Sequence, residues 1–332
     1  MSEDLILGID GGGSKVLVAL ADRAGNVLRM SRSGGVNPMD NPNWRRELNQ
    51  ALHPFLAEEQ LAAIAAALPA YGEVERLSEQ QREAIASSFP KARQLVLNDV
   101  DAAHFGAFAG QPGILILSGT GSMAWARNAA GLSARVGGWG DVIGDEGSSY
   151  WIGRAALSLV SQCLDGRAAP TALAKAIFAF LDLDDSDPLN ALGGWASELK
   201  NPRADIAALS VLVDRVAADG DLGAKQLIEQ AAAELAKHVQ AISPHCDGTT
   251  DWTYAGGTFA SSTLLAALEQ RIGRAAAKPK LPPIGGALLA AAQLLDWPVD
   301  DSWIRQIAAT VMTAPVHSNE ADLNNKERRE HA

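Results

Sequence analysis

The first thirty residues alternate short apolar runs with tight polar turns. An aliphatic run from Leu5 to Ile9 ends at Asp10-Gly11-Gly12-Gly13-Ser14, and a second apolar run covers residues 16–21. A polar turn at 22–26 then leads into a third run at 27–31. Short apolar runs joined by tight turns predict an antiparallel meander of three strands.

The same pattern returns further along the chain. An apolar run at 114–117 leads into Ser118-Gly119-Thr120-Gly121-Ser122, and a polar turn and another short strand follow. A Gly-Gly pair closes each copy, at residues 34–35 and 137–138. The two glycine turns are offset by about 108 residues, which indicates an internal duplication; two unrelated hairpins are the competing interpretation.

The remaining pattern is mostly helical. Apolar spacing predicts helices at 43–68, 76–89, 102–109, 264–277 and 286–295, with short strands at 94–97 and 251–255. An alanine-rich helical stretch from Trp151 to about His245 indicates an insertion.

We therefore expect an α/β fold with two domains related by duplication. The expected domains cover residues 1–112 and 113–316, the second carrying the helical insertion, and the last helix is able to pack back on the first domain. The polar tail at 317–332 is expected to be flexible.

Composition narrows the classes of function. The chain has 332 residues and a formal charge of −11, and no Lys/Arg-rich stretch suits a nucleic-acid partner. No run of about 18 apolar residues predicts a membrane span, and the N-terminus does not resemble a signal peptide. Cys163 and Cys246 are isolated, which excludes a disulfide framework and a zinc site and suits the reducing cytoplasm.

Both glycine turns are candidate phosphate-binding loops. A turn without side chains lets backbone N–H groups converge on anionic oxygens. Two such turns facing each other would hold a triphosphate between them. Lys15 follows the first turn and is either a phosphate contact or an exposed strand residue. The P-loop and dinucleotide-binding signatures are absent.

Acidic residues at strand ends are candidates for catalysis. Asp99 follows the apolar strand at 94–97, where α/β proteins place ligand-contacting residues, and phosphoryl transfer to an alcohol needs a carboxylate base. Asp101 is expected to cap the following helix, and a short shift would make it the base instead. Asp10 is a hard oxygen ligand for Mg²⁺.

The segment from Gly137 to Ser148 is dense in glycine and acidic residues. Such a segment is a poor core element and suits a loop that faces a ligand. The competing interpretation is an acidic hinge in which Asp145-Glu146 caps the following helix. Trp139 would stack on a sugar or pack at a domain seam.

These motifs together resemble the N-acetylglucosamine kinase branch of the actin/hexokinase/Hsp70 superfamily, in the BadF/BadG/BcrA/BcrD-type ATPase family, over residues 7–295. The resemblance implies two actin-like, RNase H-like domains that close over ATP, Mg²⁺ and a sugar in an interdomain cleft. It also implies a cytoplasmic homodimer with a small-molecule sugar as its partner.

The resemblance assigns roles to individual residues. It implies Asp99 as catalytic base and Asp10 as the metal ligand. It places ATP phosphates on Gly11, Gly12, Gly13, Ser14, Lys15, Gly119, Thr120 and Gly121. It places the adenosine near Gly256, Gly257, Thr258 and a later turn at Gly286, and the sugar near Asn37, Asp99, Gly138, Trp139 and Asp145.

The implied reaction is transfer of phosphate from ATP to the 6-hydroxyl of an amino sugar. The turn Pro69-Ala70-Tyr71-Gly72-Glu73 departs from the glycine-rich turn usual in the family, so N-acetylglucosamine and glucosamine both stay open. Two alternatives are an ATPase that energises a partner enzyme and a sugar-sensing kinase homologue.

Overall fold

The computed structural model describes residues 4–246 and 250–318. In chain order its strands are β1 (Leu5–Gly11), β2 (Lys15–Ala21), β3 (Val27–Gly34), β4 (Leu61–Leu68), β5 (Arg93–Asn98), β6 (Gly113–Ser118), β7 (Ser122–Arg127), β8 (Ser133–Gly137), β9 (Trp252–Ala255) and β10 (Val316–Ser318). Its helices are α1 (Trp44–Leu52), α2 (Glu75–Ser88), α3 (Asp99–Phe108), α4 (Ser149–Leu164), α5 (Ala172–Phe180), α6 (Pro188–Ser197), α7 (Pro202–Ala208), α8 (Ser210–Ala218), α9 (Leu222–Ile242), α10 (Ser262–Ile272), α11 (Pro283–Leu294) and α12 (Asp301–Val311).

The chain divides into two units. Unit 1 contains the described residues up to Gln111 and those from Lys278 onward, and unit 2 runs from Pro112 to Ala277. The first division lies one residue from the expected boundary. The segment from Lys278 groups with unit 1 rather than with residues 113–277, so the expected extent of the second domain is wrong, whereas the last predicted helix, at 286–295, packs back on the first domain as the expectation allowed.

Unit 1 is built on a mixed sheet with the order β10-β3-β2-β1-β4-β5. The meander β1-β2-β3 is antiparallel, as its tight turns predict, whereas β4 and β5 add to β1 in parallel. Parallel neighbours bring the carboxyl ends of β1, β4 and β5 to the same edge of the sheet.

The helix predicted at 43–68 is wrong beyond residue 52. Residues 61–68 form β4, a central strand buried on both faces. Ala63, Ala65 and Ala67 face one hydrophobic cluster, while Leu61, Ile64, Ala66 and Leu68 belong to the other. A strand covered on both faces is apolar throughout, so apolar spacing alone does not separate it from a helix.

Helix α11 covers one face of this sheet and accounts for the assignment of the C-terminal segment. Most of its side chains are buried, and a Cβ at Gly8 of β1 would lie 2.9 Å from the backbone nitrogen of Leu288. Helix α12 packs in the hydrophobic cluster that contains Ala63, Ala65 and Ala67, and β10 pairs with β3. Residues 317 and 318 therefore belong to a strand rather than to the expected tail; residues 319–332 lie outside the described part of the chain.

Unit 2 contains a sheet with the order β8-β7-β6-β9, in which β6, β7 and β8 are antiparallel and β9 is parallel to β6. This order and these directions match β3-β2-β1-β4 of unit 1, as the predicted duplication requires. Helices α4–α9 separate β8 from β9 and form the expected insertion. Helix α10 ends at Ile272, earlier than expected, because Gly273 adopts a left-handed conformation (φ 77°).

None of the helices in the described residues combines the length and the apolarity that crossing a bilayer requires.

Candidate functional site

The first glycine turn is held by backbone contacts. Gly12 N–H donates to Lys15 O (2.8 Å), and Val36 N–H donates to Gly12 O (2.9 Å). A Cβ at Gly35 would lie 1.9 Å from Gly13 O, so the Gly-Gly pair after β3 lets the chain pass directly against the turn. Gly13 and Ser14 remain exposed at its tip. The residues predicted to bind phosphate therefore form a supported loop with an open outer face.

The second glycine turn lies between β6 and β7 and is supported in the same manner. Gly119 N–H donates to Gly121 O (2.9 Å), and Ser149 N–H donates to Gly119 O (2.8 Å). Thr120 is exposed at the tip. After the role that the sequence predicts for them, we call residues 118–122 the second phosphate loop and residues 10–14 the first phosphate loop.

The predicted adenosine motif packs on the second phosphate loop. Gly256 has a φ of 108°, and a Cβ there would lie 2.1 Å from Ser118 O. Thr258 Oγ1 donates to Gly119 O (3.2 Å) and contacts Ser149 Oγ (2.7 Å). Only glycine accepts both this φ and this backbone approach. Unit 2 thus brings the motif at 256–258 and the second phosphate loop together.

Two carboxylates lie at the carboxyl edge of the unit 1 sheet. Asp10 pairs with Ala67 of β4, which pairs with Leu97 of β5, and Asp99 follows the end of β5. Burial raises the pKa of Asp10 to about 6, an increase that the positive charge of Lys15 partly offsets. Burial, and then repulsion by Asp10, raise the pKa of Asp99 to about 7.

The start of α3 sets the position of Asp99. The Asn98 side chain caps the helix by accepting from Val100 N–H (3.0 Å), and its amide donates to Tyr71 O (2.9 Å). The expected cap at Asp101 is wrong, because the helix begins at Asp99, three residues before the predicted start at residue 102, and Asp101 lies inside its first turn. The turn that carries Tyr71 is thereby tied to the catalytic candidate, and the negative charge of Glu73 adds a smaller upward effect on the pKa of Asp99.

The segment from Gly137 to Ser148 divides into an exposed part and a buried part. Trp139 is 66% exposed, with the Arg135 guanidinium 5.6 Å from the centre of its ring, and Val142 and Ile143 are exposed beside it. Asp145 is buried, with a φ of 60°. The cap of α4 is Ser148 Oγ, which accepts from Trp151 N–H (3.1 Å), rather than the expected Asp145-Glu146.

The Asp145 carboxylate is engaged inside unit 2. Its Oδ2 pairs with Arg203 Nη2 (2.6 Å), and its Oδ1 accepts from Ser122 N–H (3.2 Å). The carboxylate faces the second phosphate loop, and the residue is 2% exposed; its predicted sugar contact stays a prediction.

Other predicted site residues have structural partners of their own. Asn37 bonds within its own turn, accepting from Met39 N–H (3.0 Å). Gly138 N–H donates to Ser122 O (3.0 Å), which joins it to the second phosphate loop. Gly286 does not form the expected turn: it lies in α11, where a Cβ would be 2.0 Å from Ala102 O. Close packing of α11 on α3 accounts for that glycine.

Sequence reasoning missed Arg203. It lies in the helical insertion, 58 residues after Asp145, and the sequence around it matches no motif. A pairing signal across such a distance is absent from a single sequence. Arg203 also lies 3.6 Å from Asp141 Oδ1 through its Nε.

The donor set suits Mg²⁺ carried by a nucleotide. In the described residues, no group of three or more His, Cys, Asp or Glu side chains is arranged as a metal cage. Mg²⁺ usually takes one or two carboxylates together with waters and substrate phosphates. Asp10, which is partly buried and repels Asp99, could supply a hard oxygen ligand of this kind.

Comparison with known proteins agrees with this architecture. The model of the BadF/BadG/BcrA/BcrD ATPase family matches residues 7–291. The N-acetylmuramic acid/N-acetylglucosamine kinase of Clostridium acetobutylicum is 32% identical over 246 residues, covering 71% of this chain and 78% of that protein.

Solved structures share the fold over most of the chain. A Chromobacterium violaceum structure, provisionally assigned as an N-acetylglucosamine kinase, is 26% identical with a TM-score of 0.68, covering 87% of this chain and 99% of that one. A ROK family glucokinase from Streptomyces griseus, solved with glucose and AMPPNP, is 14% identical with a TM-score of 0.53. It covers 87% of this chain and 98% of that one, and its likeness shows the fold alone.

Two duplicated α/β units with a glycine turn after the first strand of each define an actin-like ATPase fold, and the expected fold class is confirmed. The chain belongs to the BadF/BadG/BcrA/BcrD ATPase family, as its motifs predict.

Proposed function

We propose that this protein is an ATP-dependent sugar kinase that phosphorylates the 6-hydroxyl of an amino sugar, with Asp99 as the general base. The observation that carries the proposal is the Asp99 carboxyl at the end of β5, with its pKa raised to about 7. Membership of a family with sugar-kinase relatives supports the class of reaction.

The raised pKa of Asp99 suits the chemistry. A general base is most effective when its pKa lies near the working pH, because it is then ionised and still strongly basic. An ordinary aspartate, with a pKa near 3.9, is a much weaker base. In this proposal Asp99 accepts the proton of the sugar hydroxyl as that oxygen attacks the terminal phosphorus of ATP and ADP leaves.

The two phosphate loops would bind ATP through backbone N–H groups. Both loops have an exposed tip, at Ser14 and Thr120, and neither tip carries an acidic side chain. The motif at 256–258 would contribute to adenosine binding beside the second phosphate loop. Mg²⁺, held by Asp10 directly or through water, would neutralise charge on the phosphate oxygens.

The acceptor is proposed to be N-acetylglucosamine or glucosamine. The Clostridium relative is an N-acetylmuramic acid/N-acetylglucosamine kinase, which supports an amino sugar. The charge on the turn at 69–73 would favour glucosamine, because Glu73 adds negative charge near Asp99 and the ammonium group of glucosamine would benefit from it. Trp139, being exposed, is available to stack on a sugar ring.

A coupled ADP-release assay tests the proposal. The panel comprises N-acetylglucosamine, glucosamine, N-acetylmannosamine, N-acetylmuramic acid and glucose, each with ATP and Mg²⁺. The matched variants are Asp99→Asn and Asp101→Asn, which remove one charge each from the same helical turn. We expect Asp99→Asn to retain ATP binding and to lose sugar-dependent turnover, while Asp101→Asn stays active. Near-normal turnover in Asp99→Asn would reject Asp99 as the base. Loss of turnover in Asp101→Asn alone would assign the role of base to Asp101.

The proposal includes assembly as a homodimer. Size-exclusion chromatography with light scattering tests this part separately, and a mass near the 34.8 kDa of one chain would reject it.

A further inference from the structure

The turn at 69–73 lies between the two candidate carboxylates at the carboxyl edge of the unit 1 sheet. β1, β4 and β5 are parallel neighbours in that order, so the segments that follow them lie side by side at this edge. Asp10 is near the end of β1, the turn follows β4, and Asp99 follows β5. A hydroxyl group that reaches Asp99 therefore approaches a site that this turn borders.

The turn has a buried base and an exposed tip. Pro69 and Ala70 are buried, whereas Gly72 and Glu73 are exposed. Ala70 has a φ of 61°, in the left-handed region that a residue with a Cβ rarely adopts. Such a conformation persists only where the surrounding structure imposes it. We therefore examined which side chains outside the turn hold its backbone.

Two side chains of α2 hold the turn from one side. Ser78 Oγ accepts from Gly72 N–H (2.9 Å), and Gln81 Nε2 donates to Pro69 O (2.9 Å). Both residues are buried. Gln81 Oε1 has no hydrogen-bond partner among the described residues, and an unpaired buried oxygen is unfavourable, so the favourable polar contact of this side chain is its bond to Pro69. Helix α2 thus anchors both the base and the tip of the turn.

Asn98 holds the turn from the other side. It is the last residue of β5 and pairs with Leu68 at the end of β4. Its Nδ2 donates to Tyr71 O (2.9 Å), while its Oδ1 accepts from Val100 N–H (3.0 Å) and caps α3. One amide group therefore bonds both to the middle of the turn and to the first turn of the helix that begins with Asp99.

We propose that Asn98 is a positioning residue for the acceptor sugar, which fixes the turn at 69–73 and Asp99 relative to each other through the two ends of its amide. This inference rests on the proposed function, in which Asp99 is the general base. The turn carries Glu73, whose negative charge helps to raise the pKa of Asp99. A displaced turn therefore changes both the space and the charge that a substrate hydroxyl meets.

The two ends of the amide are separable by substitution. Asn98→Ser keeps a side-chain oxygen suited to capping α3 but lacks the amide donor, and Asn98→Ala lacks both. Ser78→Ala removes one tie on the α2 side. The matched control is Asn128→Ser, because Asn128 Oδ1 also accepts a backbone N–H, that of Leu132 (2.9 Å), but at the end of β7 opposite the second phosphate loop.

For each variant we would measure kcat and KM with the best sugar of the panel, and the Kd of ATP in the absence of sugar by calorimetry. We expect Asn98→Ser to lower kcat/KM for the sugar about 10- to 100-fold, on the scale of a reacting group misplaced by about 1 Å, and to change the Kd of ATP less than about twofold. Asn98→Ala should lose at least as much, since α3 also loses its cap. Ser78→Ala should show a smaller loss of the same kind, and Asn128→Ser should match the wild-type protein.

Two results would overturn the inference: a wild-type kcat/KM for the sugar in Asn98→Ser, or a Kd of ATP that rises as much as the sugar kcat/KM falls. The first result, with Asn98→Ala impaired, would assign the effect to the helix cap alone, and the second would make Asn98 a general structural residue. Circular dichroism would establish that the variants are folded. If Asn98→Ser is not folded, Ser78→Ala decides, and wild-type kinetics there would overturn the inference. Failure of the proposed function is distinguishable, because the wild-type protein would then phosphorylate no sugar of the panel or Asp99→Asn would stay active.

Discussion

Replacing Asp99 by asparagine should make the protein more stable while abolishing its proposed activity. The native carboxyl has a pKa of about 7, because burial and the neighbouring Asp10 disfavour its charged form. Asparagine has no charge to desolvate, and its side-chain oxygen is able to accept from Val100 N–H as Asp99 Oδ1 does now at 3.0 Å. The substitution therefore removes an unfavourable charge and keeps a favourable contact.

The shift in pKa sets the magnitude. A rise of about three units from the ordinary aspartate value corresponds to at most about 4 kcal/mol of unfolding free energy above pH 7. Asp99 is partly exposed, so water and local relaxation reduce this limit. We expect Asp99→Asn to gain about 1–3 kcal/mol at pH 8.

The gain should depend on pH with a definite sign. Between pH 4 and 7 the folded wild-type protein binds more protons than the unfolded chain, because its Asp99 pKa is raised. Wild-type stability from this group therefore falls as the pH rises through that window and is constant above it. The advantage of Asp99→Asn is accordingly largest above pH 7 and shrinks as the pH falls toward 4.

Urea-induced unfolding at pH 5, 6, 7 and 8, without nucleotide or Mg²⁺, measures this difference. Asp185→Asn is the charge-matched control, because it removes one negative charge at an exposed position of unit 2. We expect the control to change stability by less than about 0.5 kcal/mol. A destabilised Asp99→Asn at pH 8, or a gain that does not vary with pH, would refute the electrostatic account of this site.

Three further substitutions, together with the control Gly193→Ala, test the first phosphate loop, the packing of α11 and the sugar site. Gly35→Ala should raise the KM for ATP about 10-fold or more, since its Cβ would lie 1.9 Å from Gly13 O in the first phosphate loop; an unchanged KM in steady-state kinetics would contradict this. Gly286→Ala should lower the unfolding free energy, measured in urea, by about 3 kcal/mol, because the added Cβ forces α11 away from α3. Gly193→Ala, where the added Cβ meets open space on α6, should raise the unfolding free energy by about 0.5–1 kcal/mol. Equal effects of the two substitutions would count against the packing argument. Trp139→Ala should raise the sugar KM roughly 10-fold and change stability by less than about 0.5 kcal/mol, and an unaltered sugar KM would remove the indole from the sugar site.

Local signals in the sequence predict much of the fold. The glycine turns end short apolar runs, and such turns have few backbone conformations, so the two meanders and their repetition follow from residue types alone. Asp99 is found because an apolar strand ends just before it. These features depend on neighbours within about ten residues of each other.

Other features depend on contacts between distant parts of the chain. The alanines of β4 suit a strand only because α11 lies close on one face, and a periodic pattern contains no record of that partner. The sequence likewise contains no record that the whole segment from Lys278 packs with the unit 1 sheet, so the segment was expected in the second domain with only its last helix able to pack back. Asp145 is acidic in a glycine-rich segment, which suggests a ligand contact, yet its partner is Arg203 in the helical insertion.

The ratio of sugar phosphate formed to ADP released tests the central claim most directly. Wild-type protein would be incubated with ATP, Mg²⁺ and the best sugar of the panel, with ADP measured enzymatically and the sugar product identified by mass spectrometry and ³¹P NMR. The account predicts one phosphomonoester at the 6-position for each ADP, and no ADP above background without sugar. ADP release without a phosphorylated sugar would contradict it, and would indicate an ATPase that energises a partner.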